Sequence, residues 1–213
     1  MNLDDVLVPL RIVAASLLIF GLLYQGSVMA IGAAVFPDQQ SGSPVTYDDE
    51  VVGSAQIGQD FGADNPEYFW TRPSHIDYDA MTSGSAQLGS TNPELSERVR
   101  ADLETLSQYE TPDDEVPANL VAESGSAYDA HISTAAAEYQ VPRVANQTDI
   151  SEDQLHEMID EATEDPWLGV WGHERVNALE LNLMVHEELE AQGAPEDTAD
   201  SEDTEETNDA DDS

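Results

Sequence analysis

The chain has no cysteine and no lysine. The first absence excludes disulfides, thiolate zinc sites and a cysteine nucleophile. The second leaves Arg11, Arg72, Arg98, Arg100, Arg143 and Arg175 as its only strong bases, against 45 acidic residues and a formal net charge of −39. Phosphate binding needs clustered Lys or Arg, so this balance argues against a nucleic-acid partner. A P-loop, a GxGxxG fingerprint, an HExxH pair and a G-x-S-x-G elbow are missing as well. No intrinsic nucleotide or metal site is therefore written in local sequence, and the five histidines are scattered without ligand spacing.

What is present is acid. Ten of the acidic residues lie in the tail from Ala194 to Ser213, but the remaining 35 are spread along the chain. At low ionic strength such a surface repels itself. At about 1 M salt the Debye length is only about 3 Å and the repulsion is screened. An acidic, lysine-free surface thus reads as adaptation to a halophilic setting. With 213 residues the chain is one modest domain with appendages.

Ile12 to Phe36 carries no charged side chain. As a helix it would be about 37 Å long, enough to cross a hydrocarbon core of about 30 Å once. A cleaved signal peptide is the competing reading, with small residues at Ser27 to Ala30. The apolar run continues past that point, which favours a retained anchor. Arg11 precedes the run and no other base follows before Arg72, so the positive-inside rule places the N-terminus in the cytoplasm and the rest outside.

The expected organisation is a short cytoplasmic N-terminus (1–11), a transmembrane helix (12–36), a mixed α/β extracytoplasmic domain (37–192) and a disordered acidic tail (193–213). Within the domain, Asn92-Pro93 is a cap followed by Pro at the first helical position, opening a helix to about Tyr109. Ser133 caps a short helical segment, STAAAEYQ. Ser151 and Gln154 fit a capping box, with Leu155, Met158, Ile159 and Ala162 on the buried face. Leu179, Leu181, Leu183 and Val185 alternate with polar or flexible residues and read as a strand. Residues 193–213 are expected to stay disordered, because they cannot offset their ordering entropy.

SGSAYDAHIS, Ser124 to Ser133, raises the question of chemistry. Ser126, Asp129 and His131 are the side-chain types of a nucleophilic hydrolase, anchored or secreted. Ten contiguous residues do not easily align such a triad. The simpler reading is a tight turn in which Gly125 permits positive φ and Asp129 and Ser133 bond free backbone amides. Arg72, Arg143 and Arg175, rare bases on an acidic chain, are expected to grip carboxylates or carbonyls, inside the domain or at a partner surface.

The order of short motifs carries a resemblance. FPDQQSGS (Phe36 to Ser43), GSAQIGQDF (Gly53 to Phe61), YFWTRPS (Tyr68 to Ser74) and SGSAQLGSTNP (Ser83 to Pro93) come first. VPANLVAESGSAYDAHIS (Val116 to Ser133), AAEYQVPRVA (Ala136 to Ala145) and WGHERVNALELNL (Trp171 to Leu183) follow. Together they resemble the KdpC family, the C chain of the Kdp potassium-transporting ATPase. The family usually reads S-G-S-G-L-D-P-H-I-S where this chain has SGSAYDAHIS, so Ala127 stands in place of glycine.

The resemblance implies one membrane helix and an outward domain in a complex with a potassium-translocating A chain, a P-type ATPase B chain and often a small F chain. It implies a non-catalytic subunit of ATP-driven potassium import with no intrinsic cofactor. It also implies a catalytic chaperone raising ATP affinity of the B chain, with Ser124, Gly125, Ser126, Gln140 and Arg143 in the proposed region. Arg72, Asp129, His131 and Arg175 are the residues expected at a partner interface.

Overall fold

The computed structural model describes residues 3–110, 115–166 and 168–193. The apolar run winds as one helix: α1 (Leu3–Ser16), a wider π-helical stretch (Leu17–Tyr24) and α2 (Gln25–Val35). Val6–Val35, 30 residues at a mean hydropathy of 2.4, is long and apolar enough to cross a membrane, and its apolar window is not buried by the rest of the chain. A side of leucine and isoleucine facing outward all round is stable only against lipid or another chain. The helix begins at Leu3, earlier than expected, so the N-terminal segment continues the same rod.

Past Phe36, Pro37 starts a single turn, α3 (Pro37–Gln40). Next comes a hairpin of β1 (Pro44–Tyr47) and β2 (Glu50–Ser54). Asp48 and Asp49 form its turn at φ 49° and 64°, the left-handed pair that matches the twist of a two-residue hairpin. α4 (Pro93–Tyr109) follows with Asn92 as its cap, the Asn92 side chain accepting from Glu94 N at 3.0 Å.

A second sheet lies beyond, antiparallel, in the order β3 (His131–Ile132), β5 (Arg175–Asn177), β4 (Thr163–Glu164). Between β3 and β4 run α5 (Thr134–Thr148) and α6 (Glu152–Glu161), and after β5 comes α7 (Ala178–Gly193). Ile132 and Thr163 flank Val176 across the sheet. Phe69, Ile132, Leu155, Ile159, Val176 and Leu181, each at most 2 % exposed, form the centre of the core.

Ser133 accepts from Ala136 N and Ser151 from Gln154 N, so both caps are as expected. Two expectations are overturned. STAAAEYQ is not a short segment: α5 runs on through Pro142 to Thr148. Nor is Leu179 to Val185 a strand; it lies in α7. The buried residues there are Ala178, Leu179, Leu181, Asn182 and Val185, a helical spacing in which Asn182 occupies a core position. The alternation arises because Asn182, counted as an outward polar residue, is in fact inside. Of the expected disordered tail, residues 193–213, Gly193 ends α7 and the rest lies outside the described residues.

Two buried amides set the position of the segment that leads to the site. Asn182 accepts from Phe69 N at 2.7 Å and donates to Phe69 O at 2.9 Å. Gln140 does the same for the next residue, accepting from Trp70 N at 2.7 Å and donating to Trp70 O at 3.3 Å. An extended strand of backbone is thereby satisfied by side chains instead of a sheet partner.

Candidate functional site

Five ionisable side chains, from four separate stretches of the sequence, form one ladder. Arg72, just past the segment clamped by Asn182 and Gln140, donates from Nη1 to Asp129 Oδ2 at 3.1 Å. Its other nitrogens hold Ala122 O and Glu123 O. Asp129 Oδ1 accepts from His131 N at 3.1 Å and lies 3.3 Å from His131 Nδ1. The far ring nitrogen, Nε2, lies 3.2 Å from Glu164 Oε1. Arg175 closes the ladder, Nε and Nη2 donating to Glu164 Oε2 at 2.8 and 2.6 Å.

The sheet makes this possible. His131 in β3 pairs with Asn177 and Glu164 in β4 pairs with Arg175, and Asn177 and Arg175 are two apart on β5, so all three side chains lie on one face of the sheet, opposite that of Ile132, Val176 and Thr163. The turn before β3 depends on a close backbone approach: Gly58 N donates to Tyr128 O at 2.8 Å. A Cβ on Gly58 would stand 2.7 Å from Asp129 O. The left-handed residue of the turn is Ala127, φ 69°, rather than Gly125. It stands where the family pattern has glycine, and Ser74 Oγ bonds its carbonyl at 2.6 Å.

Electrostatics follow the geometry. The hydrogen bond to Asp129, reinforced by Glu164, raises the His131 pKa above its ordinary 6.5 against partial burial. His131 in turn, with Arg72 adding charge, lowers that of Asp129. Desolvation works to raise Glu164, but Arg175 and His131 together outweigh it and its pKa falls. The ladder lines an open cavity of about 750 Å³ whose rim is the loop between β4 and β5.

The hydrolase alternative fails on this arrangement. Ser126 Oγ pairs with Ser124 Oγ at 3.0 Å and accepts from Tyr128 N, while both ring nitrogens of His131 face carboxylates. A serine nucleophile needs that imidazole as its base.

Arg72, Asp129, His131 and Arg175 therefore come together in one ladder. The residue missed is Glu164, one carboxylate among 45, with no local pattern to single it out. Ser124, Gly125 and Ser126 form the turn itself, Ser124 buried and Gly125 exposed. Gln140 and Arg143 are elsewhere engaged and joined to each other, Arg143 Nη2 donating to Gln140 Oε1 at 2.6 Å. Arg143 also bonds Glu110 Oε1 at 2.6 Å, Pro66 O and Tyr68 O, and stacks 4.5 Å from the Trp70 ring centroid. Burial pushes the Glu110 pKa up and that of Arg143 down. Trp70, Glu110, Pro66 and Tyr68, which partner Gln140 and Arg143, all belong to the chain itself.

Known proteins give a consistent likeness. The family model for KdpC, described as the c chain of the K+-transporting ATPase, matches residues 6–187. The potassium-transporting ATPase KdpC subunit of Halobacterium salinarum is 65% identical over 205 residues, 94% of this chain and 95% of that one. The KdpC subunits of Shewanella putrefaciens (41% over 177 residues, 83% and 88%) and Bacillus cereus (41% over 188 residues, 86% and 96%) are also similar. A membrane-length helix, a domain carrying the motifs that resemble this family, and a match over nearly the whole length converge: the chain belongs to the KdpC family, accessory C chains of the potassium-transporting ATPase.

Proposed function

We propose that this chain is anchored by Val6–Val35 with its mixed α/β domain outside the cell, where it assembles with a potassium-translocating A chain and a P-type ATPase B chain, with or without a small F chain. It takes part in potassium import without performing chemistry. The observation that carries this reading is the ladder from Arg72 to Arg175, in which each group that could act as acid, base or nucleophile's partner is held by an oppositely charged neighbour. Such an arrangement holds a surface in shape.

The outward orientation rests on Arg11, the single cation near the N-terminal end of the helix, ahead of the uncharged run Ile12 to Phe36. It separates the domain from cytoplasmic ATP. Gln140 and Arg143 support the same conclusion, because nucleotide contact would strip Trp70 and Glu110 of buried partners. We assign the family's effect on nucleotide affinity to protein contacts with the B chain, not to ATP bound here.

The absence of cysteine makes the orientation simple to test. Met81→Cys, at a position 93 % exposed, is expected to react with a membrane-impermeant maleimide in intact cells at native salt. Labelling only after the cells are opened would overturn the outward placement. Deletion of the chain is expected to abolish growth at limiting potassium, with rescue by the full chain and none by a version lacking residues 3–36.

A further inference from the structure

The loop joining β4 to β5 is unlike the rest of this surface. Leu168, Val170 and Trp171 are 70, 74 and 64 % exposed within four residues. On a chain with 45 acidic residues, such a cluster marks a face that another body covers. The backbone turns tightly here: Leu168, Gly169 and Gly172 all hold left-handed φ, at 54°, 68° and 107°, and Gly169 N donates to Pro166 O at 2.8 Å. Trp171 stands at the rim of the cavity floored by the ladder.

Charge decides what the covering body is. The cavity gathers four carboxylates, Asp129, Glu164, Asp165 and Glu174, against the guanidinium groups of Arg72 and Arg175 and the imidazoles of His131 and His173, with His131 held in the ladder. Both arginines are spent on ladder carboxylates. Among the described residues, no ion pair engages Asp165 or Glu174, so the surplus at the rim is negative. A second copy of this chain, at −39, would meet like charge there, as would an anionic lipid surface. A protein face offering an apolar recess beside a Lys or Arg would meet both features with complementary ones.

We infer that the Leu168–Trp171 tip and the acidic cavity rim form the docking surface for another chain of the same pump, one that presents an apolar recess flanked by a cationic side chain. This rests on the reading that the chain assembles into the pump. It adds which face does so and what chemistry the partner face must have.

The test uses the whole complex, purified at molar salt through a tag on this chain. Val170→Asp is expected to lower the recovered pump chains at least tenfold while leaving the thermal midpoint of the full-length chain unchanged, and Val170→Leu to restore them. A photo-crosslinking benzoylphenylalanine at position 170 is expected to join this chain to another pump chain. Full recovery with Val170→Asp would overturn the surface, and a crosslink only to lipid or to a second copy would overturn the partner. Absence of pump chains from the wild-type preparation would instead remove the assembly reading and this inference with it.

Discussion

His131 sits between two carboxylates, and these neighbours set how its contribution depends on pH. Its pKa is raised in the folded chain, so its bonds to Asp129 and Glu164 contribute fully below about pH 6.5 and are lost as pH rises through the raised value. Asp129 and Glu164 are lowered, so their contribution is complete above about pH 4.5 and lost as pH falls through their folded values. Thermal midpoints at fixed molar salt should therefore decline on both sides of a window near pH 5 to 6, with His131→Gln flattening the alkaline decline. An unchanged alkaline limb in that variant would rule out the ladder as its cause. Gly58→Ala is expected to destabilise by about 2 kcal/mol or more through the clash with Asp129 O, read as a lowered midpoint. Arg72, Asp129, His131 and Arg175 were legible because bases are rare in this sequence and the motifs resemble a family's. Glu164 was not, since its His131 partner is 33 residues away and nothing local distinguishes it.

At the scale of elements, end signals were more readable than interiors. Asn92, Ser133 and Ser151 each cap as their residue types dictate. Inside α5 the sequence rule against proline loses: Pro142 forgoes a backbone bond, but Gln140, Val141, Arg143 and Val144 around it are buried and hold the helix in place. α7 was misread for a related reason. Its helical period is completed by Asn182, whose burial depends on a peptide group 113 residues away. A start signal was there to be read, with Asn177 Oδ1 accepting from Leu179 N and Glu180 N and a glutamate three residues on. The end of α5 yields a further prediction. Asp149 is exposed in a left-handed conformation, φ 58°, a position suited to glycine. Asp149→Gly should stabilise the chain by about 0.5–1 kcal/mol, checked by urea titration, and a loss of stability would show that the aspartate side chain has a role of its own.

For the whole molecule, two solvents shape the sequence. Val6–Val35 is built for lipid, and the remainder carries an acidic surface suited to brine. We expect the thermal midpoint of the full chain to rise as potassium chloride is increased from about 0.1 to 2 M, because the Debye length falls from about 10 Å to below 3 Å. A midpoint indifferent to salt would contradict the halophilic reading of the charge. Sequence made the anchor and the acidity plain, since both are sums over many residues. The internal sheet, whose strands are only two or three residues long, was below the length at which alternation can be seen. That the chain works as a pump subunit is tested most directly by purifying it, tagged and full length, from membranes of potassium-starved cells at native salt, and identifying what accompanies it by mass spectrometry. The expected result is a potassium-translocating chain and a P-type ATPase chain in comparable amounts; recovery of this chain alone, with its membrane helix intact, would contradict it.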